Sequence, residues 1–346
     1  MTEKIFGTTS KGEEAVLYTM TNENGMSISV TDFGATLVNV FVPDKAGKQI
    51  DVVLGYDDVK GYEEGTVFFG ATVGRSANRI GEAAFELNGV TYQLEKNDND
   101  NNLHSGLDFY NKRMWKVLKK ADNSVTFVLH SPDGDQGYPG NLDMEVTYTL
   151  TEENEVKITY HGVPDQDTLV NMTNHSYFNM DGQDSGDVLG QEVQIEADYF
   201  TKADAESIPT GELTRVEGTP MDFRQKKAIG KDIEEDYEAL ILGKGYDHNW
   251  VLNGEGFRKV AEMSGKTSGI TMEVYTDLPG MQLYTANFVE DEKGKGGATY
   301  QMRHAACFET QYYPDAVHKE HFPGPICHAG DAYDTCTTYK FILAEV

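Results

Sequence analysis

The chain has 346 residues, with 57 acidic against 29 basic and a formal charge of −28. That charge repels phosphate backbones and anionic lipid, so nucleic acid and membranes are poor partners. No apolar run approaches the ~20 residues of a membrane span, and Met1-Thr2-Glu3-Lys4-Ile5-Phe6-Gly7 lacks the basic and apolar regions of a signal peptide. In chain order, Met26–Thr31 and Ala35–Val42 read as strands, and Asp44-Lys45-Ala46-Gly47 turns the chain into a third at Gln49–Leu54. Tyr56–Glu64 reads as a short helix or turn. Phe85–Leu87 and Val90–Leu94 flank Asn88-Gly89, the pair that suits a type I′ hairpin. Val125–Leu129 follows, then Met144–Leu150 and Val156–Tyr160 around a loop at Thr151–Glu155. Val193–Ala197, Ile270–Thr276 and Gln282–Asn287 have the same alternation. Only Lys226–Leu242 has a helical pattern, which Gly230 weakens.

Hairpins with almost no intervening helix predict an all-β protein, a large antiparallel β-sandwich with few short helices. No linker divides it, and Lys293–Gly297 reads as a loop, so residues 1–346 are expected to form one domain. Three cysteines, Cys307, Cys327 and Cys336, have no CxxC spacing and make no disulfide framework, which suits a reducing cytoplasm.

Cys307–Asp315 alternates Phe308, Thr310 and Tyr312 against Glu309 and Gln311 and stops at Pro314. On this strand Phe308 and Glu309 point to opposite faces. Burial there raises the basicity of a carboxylate, which makes Glu309 a candidate general base of a sugar-processing site. Asn78 and Arg79 are candidate donors to sugar hydroxyls, although Arg79 tied to a carboxylate for structure is an equal reading. His104 and His175 lie in short Asn-rich segments and can exchange protons near neutral pH. Asp247 and Gln282 suit a polyol, and Trp250 or Tyr246 could stack on a sugar ring or fill the core. Metal ligation by the histidines and Glu309 lacks any HxH, HxxxH or HExxH spacing, so no metal is assigned. A GxSxG hydrolase elbow is absent as well.

Seven motifs occur in order: Gly74-Arg75-Ser76-Ala77-Asn78-Arg79-Ile80, Asn102-Leu103-His104, Gly137-Tyr138-Pro139-Gly140, Thr173-Asn174-His175-Ser176-Tyr177-Phe178-Asn179, Gly245-Tyr246-Asp247-His248-Asn249, Pro279-Gly280-Met281-Gln282 and Glu309-Thr310-Gln311. Together they closely resemble the aldose 1-epimerases, or galactose mutarotases. The resemblance implies the supersandwich fold of that family. It implies Glu309 as general base, His175 as general acid, and His104 as a second histidine at the reacting end. Asn78, Arg79, Asp247 and Gln282 then bind the sugar. The family usually reads Leu-His-Gly-Gly where this chain has Leu103-His104-Ser105-Gly106, and Ser adopts positive φ less readily than Gly.

The implied reaction opens a hemiacetal by moving one proton off O1 and another onto O5, and it needs no cofactor. A free monosaccharide is the expected partner, met by a monomer or a homodimer. Both pKa values are expected to be raised, Glu309 by desolvation and His175 by its carboxylate neighbour. The two are expected to face each other across a sugar-sized gap, with His104 close by. The rivals are a non-catalytic carbohydrate-binding sandwich and a sugar-phosphate epimerase.

Overall fold

In Leu142–Leu150 the side chains of Val146, Tyr148 and Leu150 are buried while Glu145, Thr147 and Thr149 are half-buried. This period-two pattern is what a sheet covered on one face requires. The computed structural model describes residues 1–343, so the last positions of the expected 1–346 unit lie outside the described residues. Thr2–Thr8, Glu14–Thr21, Ser27–Thr31, Thr36–Pro43 and Gln49–Asp51 form a five-stranded sheet in chain order. A nine-stranded sheet runs Lys116–Ala121, Ser124–Ser131, Leu142–Leu150, Glu155–Gly162, Tyr333–Leu343, Ile270–Thr276, Arg258–Ser264, Glu192–Ile195 and Lys227–Ala228. A six-stranded sheet runs Tyr177–Phe178, Ala306–Gln311, Gly280–Tyr284, Asp247–Leu252, Ala197–Ala203 and Pro209–Arg215. The ladders within these sheets are antiparallel.

The six- and nine-stranded sheets pack face to face. Phe178 meets Tyr339 at 4.8 Å between ring centroids, and the Tyr339 hydroxyl donates to the Phe308 carbonyl at 2.9 Å. Trp250, Met281, Leu283 and Phe308 share one core cluster with Tyr148, Ile158, Val274 and Phe341. Burying each such large side chain contributes ~1.5–3 kcal/mol. The result is the expected all-β antiparallel sandwich. Its two α-helices among the described residues, Val59–Glu64 and Glu238–Gly243, are each six residues long. Among the described residues no helix is long and apolar enough to cross a membrane.

Asn88 and Gly89 take φ of 54° and 75°, as a type I′ turn requires. Several elements differ from expectation. The helix expected over Lys226–Leu242 is confined to Glu238–Gly243. Upstream, the amides of Ile229 and Gly230 donate to the carbonyls of Gln191 and Leu189, and tertiary pairing overrides a weak propensity. The strand expected over Gln282–Asn287 is Gly280–Tyr284. It ends because Ala286 turns to φ 51° and Asn287 bonds the carbonyls of Gly243 and Tyr246. Thr2–Thr8 and Tyr333–Leu343 are strands that the alternation did not reveal.

Candidate active site

Strand register assembles most of the site on one face of the six-stranded sheet. Glu309 pairs with Gln282, which pairs with Asn249. Two residues along, Tyr177 pairs with Cys307, Cys307 with Tyr284, and Tyr284 with Asp247. Residues two apart on a strand share a face, so Glu309, Gln282, Asp247, Tyr284 and Tyr177 project together. Phe308 and Thr310 project the other way, toward Tyr339 and Thr337. The Thr66–Phe68 loop and the short ladder that pairs Arg79 with Leu103 bring Phe68, Asn78, Arg79 and His104 to this pocket. The resulting cleft is about 260 Å³ and its lining includes Asn78, Arg79, His104, His175, Asp247, Gln282 and Glu309. All seven sequence-predicted residues therefore meet in one pocket.

His104 is held by its loop. The Asn78 amide donates to His104 Nδ1 at 3.1 Å, and the His104 amide donates to the Asn78 carbonyl at 3.0 Å. An Nδ1 that accepts a backbone N–H carries no proton, so the neutral ring holds its proton on Nε2. His104 is thereby a hydrogen-bond donor. Burial, reinforced by His175 and Arg79, pushes its pKa well below the usual range and keeps it neutral.

Ser105 takes φ 59°, the conformation that glycine adopts at less cost. Its fully buried hydroxyl uses that position. It accepts from the Ser76 amide at 2.9 Å, donates to the Ser76 carbonyl at 2.9 Å, and bonds the Tyr138 hydroxyl at 3.0 Å. The Arg75–Arg79 and Leu103–Gly106 segments are clamped by bonds that a glycine cannot make. The Gly137–Gly140 motif supports the same clamp, because Arg75 donates to the carbonyls of Pro139 and Gly140.

His175 Nε2 lies 3.5 Å from Glu309 Oε1, and both side chains are almost fully buried. The expected sugar-sized gap is absent. The two oxygens that such a pair must serve share one carbon, so an acid and a base in near contact suit them. Burial raises the Glu309 pKa well above the carboxylate range, with Asp247 adding to the rise and Arg79 opposing it. It lowers His175 to about 4, opposite to the expected rise, because desolvation outweighs a hydrogen bond with its own backbone, and a Glu309 driven neutral supplies no charge to oppose the fall. Both groups are pushed toward their neutral forms.

Ligand atoms of His104, His175 and Glu309 converge within 4.8 Å of one another. A metal-bound histidine normally donates its second N–H to an acceptor. His104 faces a donor at Nδ1 instead, so it fits the role of hydrogen-bond donor and not that of metal ligand.

Arg79 combines its two readings: Nε donates to Asp98 at 2.7 Å, and the side chain also lines the pocket. Gln282 Nε2 donates to Asp247 Oδ1 at 2.7 Å and so orients the carboxylate. Burial raises the pKa of Asp247. Trp250 and Tyr246 are fully buried in the core and absent from the pocket. Phe68, Tyr177 and Tyr284 do line it. Sequence alone did not single them out, since aromatics in strands mostly fill cores.

The aldose 1-epimerase family matches residues 16–340. The chain is 40% identical over 346 residues to the galactose mutarotase of Bos taurus, covering 99% of each. It is 36% identical to the aldose 1-epimerase of Escherichia coli strain K12, covering 96% of each. The crystal structure of a GalM/aldose epimerase homologue from C. elegans superimposes with a TM-score of 0.89 at 32% identity, covering 95% of this chain and 99% of the other. The chain belongs to the aldose 1-epimerase family.

Proposed function

We propose that the protein interconverts the α and β anomers of free aldoses such as galactose and glucose, with Glu309 as base and His175 as acid. The observation that carries this reading is the buried His175–Glu309 contact at 3.5 Å in the floor of a monosaccharide-sized pocket. Glu309 takes the proton of the C1 hydroxyl while His175 protonates O5. The C1–O5 bond breaks, C1 turns about C1–C2, and the reverse transfers close the ring on the other carbonyl face. Each transfer is worth typically ~10²–10⁴-fold. His104, fixed as an Nε2–H donor, supports the negative charge that grows on the oxygen at C1. Asp247, oriented by Gln282, and Arg79 hold hydroxyls remote from C1, which leaves C1 free to rotate.

The charge states fit this cycle. Ring opening converts Glu309 carboxylate and His175 imidazolium into neutral acid and neutral imidazole. Burial favours the neutral pair, so the dry site stabilises the opened state, and the bound sugar must stabilise the charged pair that precedes it. The O1–H and O5 of a bound sugar provide hydrogen-bond partners for the charged pair.

A sugar-phosphate substrate suits the pocket poorly. Its lining includes the carboxyls of Asp247 and Glu309, and its single cationic side chain, Arg79, is already paired with Asp98. The pocket draws on residues from Thr66 to Glu309, which supports a single domain over 1–346. Cys307, Cys327 and Cys336 are free thiols, which suits the cytoplasm. Polarimetry of freshly dissolved α-galactose and α-glucose tests the reading. Faster decay of rotation with enzyme is expected, and decay at the spontaneous rate for every aldose tried sinks it. Inhibition by galactose 6-phosphate comparable to that by galactose would favour the phosphate rival.

A further inference from the structure

A histidine that moves protons is usually oriented through its second ring nitrogen, bonded to a carboxylate or a carbonyl. His175 lacks this support. Its Nδ1 is buried and, among the described residues, finds no hydrogen-bond partner beyond its own backbone. Ring contacts are what remain. The Tyr177 ring lies near-parallel to it at 5.1 Å and 23°, and the Phe68 ring at 5.6 Å and 24°. His104 and Tyr284 meet it edge-on at 5.5 and 6.1 Å. Phe68 also touches the second histidine, lying 4.9 Å from His104 at 57°. Phe109 braces Phe68 edge-on at 5.2 Å. Phe68 therefore contacts both imidazoles and forms part of the pocket wall.

We propose that Phe68 is a positioning residue that fixes both imidazoles through its ring face and keeps water from His175. This rests on the role given to His175 above. A parallel aromatic face favours the flat approach of an imidazole and, through its quadrupole, tolerates the imidazolium. The wall meanwhile keeps the ring dry. The titratable groups that face His175 are Glu309, His104, Tyr177 and Tyr284, with Arg79 and Asp247 across the cavity. The Thr66–Phe69 segment that carries Phe68 adds none.

The test is kcat, KM and the pH profile of kcat/KM for galactose in the full chain carrying Phe68→Ala, Phe68→Leu or Phe68→Tyr. For Phe68→Ala, kcat should fall by at least ~10-fold as both histidines lose their register. The acid limb should rise by about one pH unit, toward that of a hydrated imidazole. Phe68→Tyr retains the ring and should stay within about threefold of wild type with an unmoved limb. Phe68→Leu, a milder change should the alanine variant not fold, should lower kcat several-fold with the limb almost unmoved. Wild-type kcat and an unshifted limb in Phe68→Ala or Phe68→Leu would overturn the proposal, as would a Phe68→Tyr as impaired as Phe68→Ala. An inactive wild-type chain would instead sink the epimerase reading beneath it.

Discussion

Replacing Ser105 by glycine separates two opposed effects that the structure places on one residue. Glycine removes the cost of a left-handed conformation at φ 59°, about 1–2 kcal/mol in favour of the variant. It also deletes a buried hydroxyl that bonds the Ser76 amide, the Ser76 carbonyl and the Tyr138 hydroxyl. Three neutral bonds at ~0.5–1.5 kcal/mol each contribute roughly 2–4 kcal/mol. Glycine's greater freedom in the unfolded chain adds roughly 0.5–1 kcal/mol to the loss. The sum is a net destabilisation of roughly 0.5–4 kcal/mol. Urea denaturation should show a lower midpoint with an unchanged m-value. The same clamp holds the segment that presents Nε2 of His104, so kcat should fall several-fold with KM less affected. A Ser105→Gly variant at least as stable and as fast as wild type would show that strain outweighs the clamp.

Further predictions concern the proton pair and the sugar anchors. The pair should work while it holds one proton. Below about pH 4, where His175 takes up a second, Glu309 remains protonated and kcat/KM should fall. On the alkaline side activity should persist well above the ordinary carboxylate range, because burial raises Glu309, and fall once both groups are deprotonated. A kcat/KM profile with an acid limb near neutrality would contradict this. Asp247→Ala should raise KM by at least ~10-fold with a smaller change in kcat, as expected of uniform binding. Gln282→Ala, which leaves that carboxylate present but unheld, should raise KM less. A collapse of kcat at unchanged KM in Asp247→Ala would place Asp247 in the chemistry.

Much of the sandwich is legible in the alternation of single strands. The exceptions have physical causes. Tyr333–Leu343 carries Thr335, Thr337 and Thr338 where a core strand is expected to be apolar, yet Thr337 and Thr338 are buried in the middle of the nine-stranded sheet. Such polar residues hide a central strand. The polar members of the site were legible through the ordered motifs that carry them, with His175 interrupting an aromatic run and Glu309 alternating with apolar residues on its strand, where a carboxylate is seldom buried without a partner. Phe68, Tyr177 and Tyr284 gave no such signal, since an aromatic that braces an imidazole and one that fills a core look alike in sequence. The downward shift of His175 was equally hidden. Its sign depends on whether desolvation or a neighbouring charge prevails, and that depends on packing.

The proton transfer assigned to Glu309 is tested most directly by Glu309→Gln, which preserves the side chain's shape and the backbone pairing with Gln282 while removing the base. Polarimetry on α-galactose at saturating concentration should show kcat reduced by at least ~10²-fold with KM within a few-fold of wild type. A kcat near that of the wild-type chain would contradict the role given to Glu309.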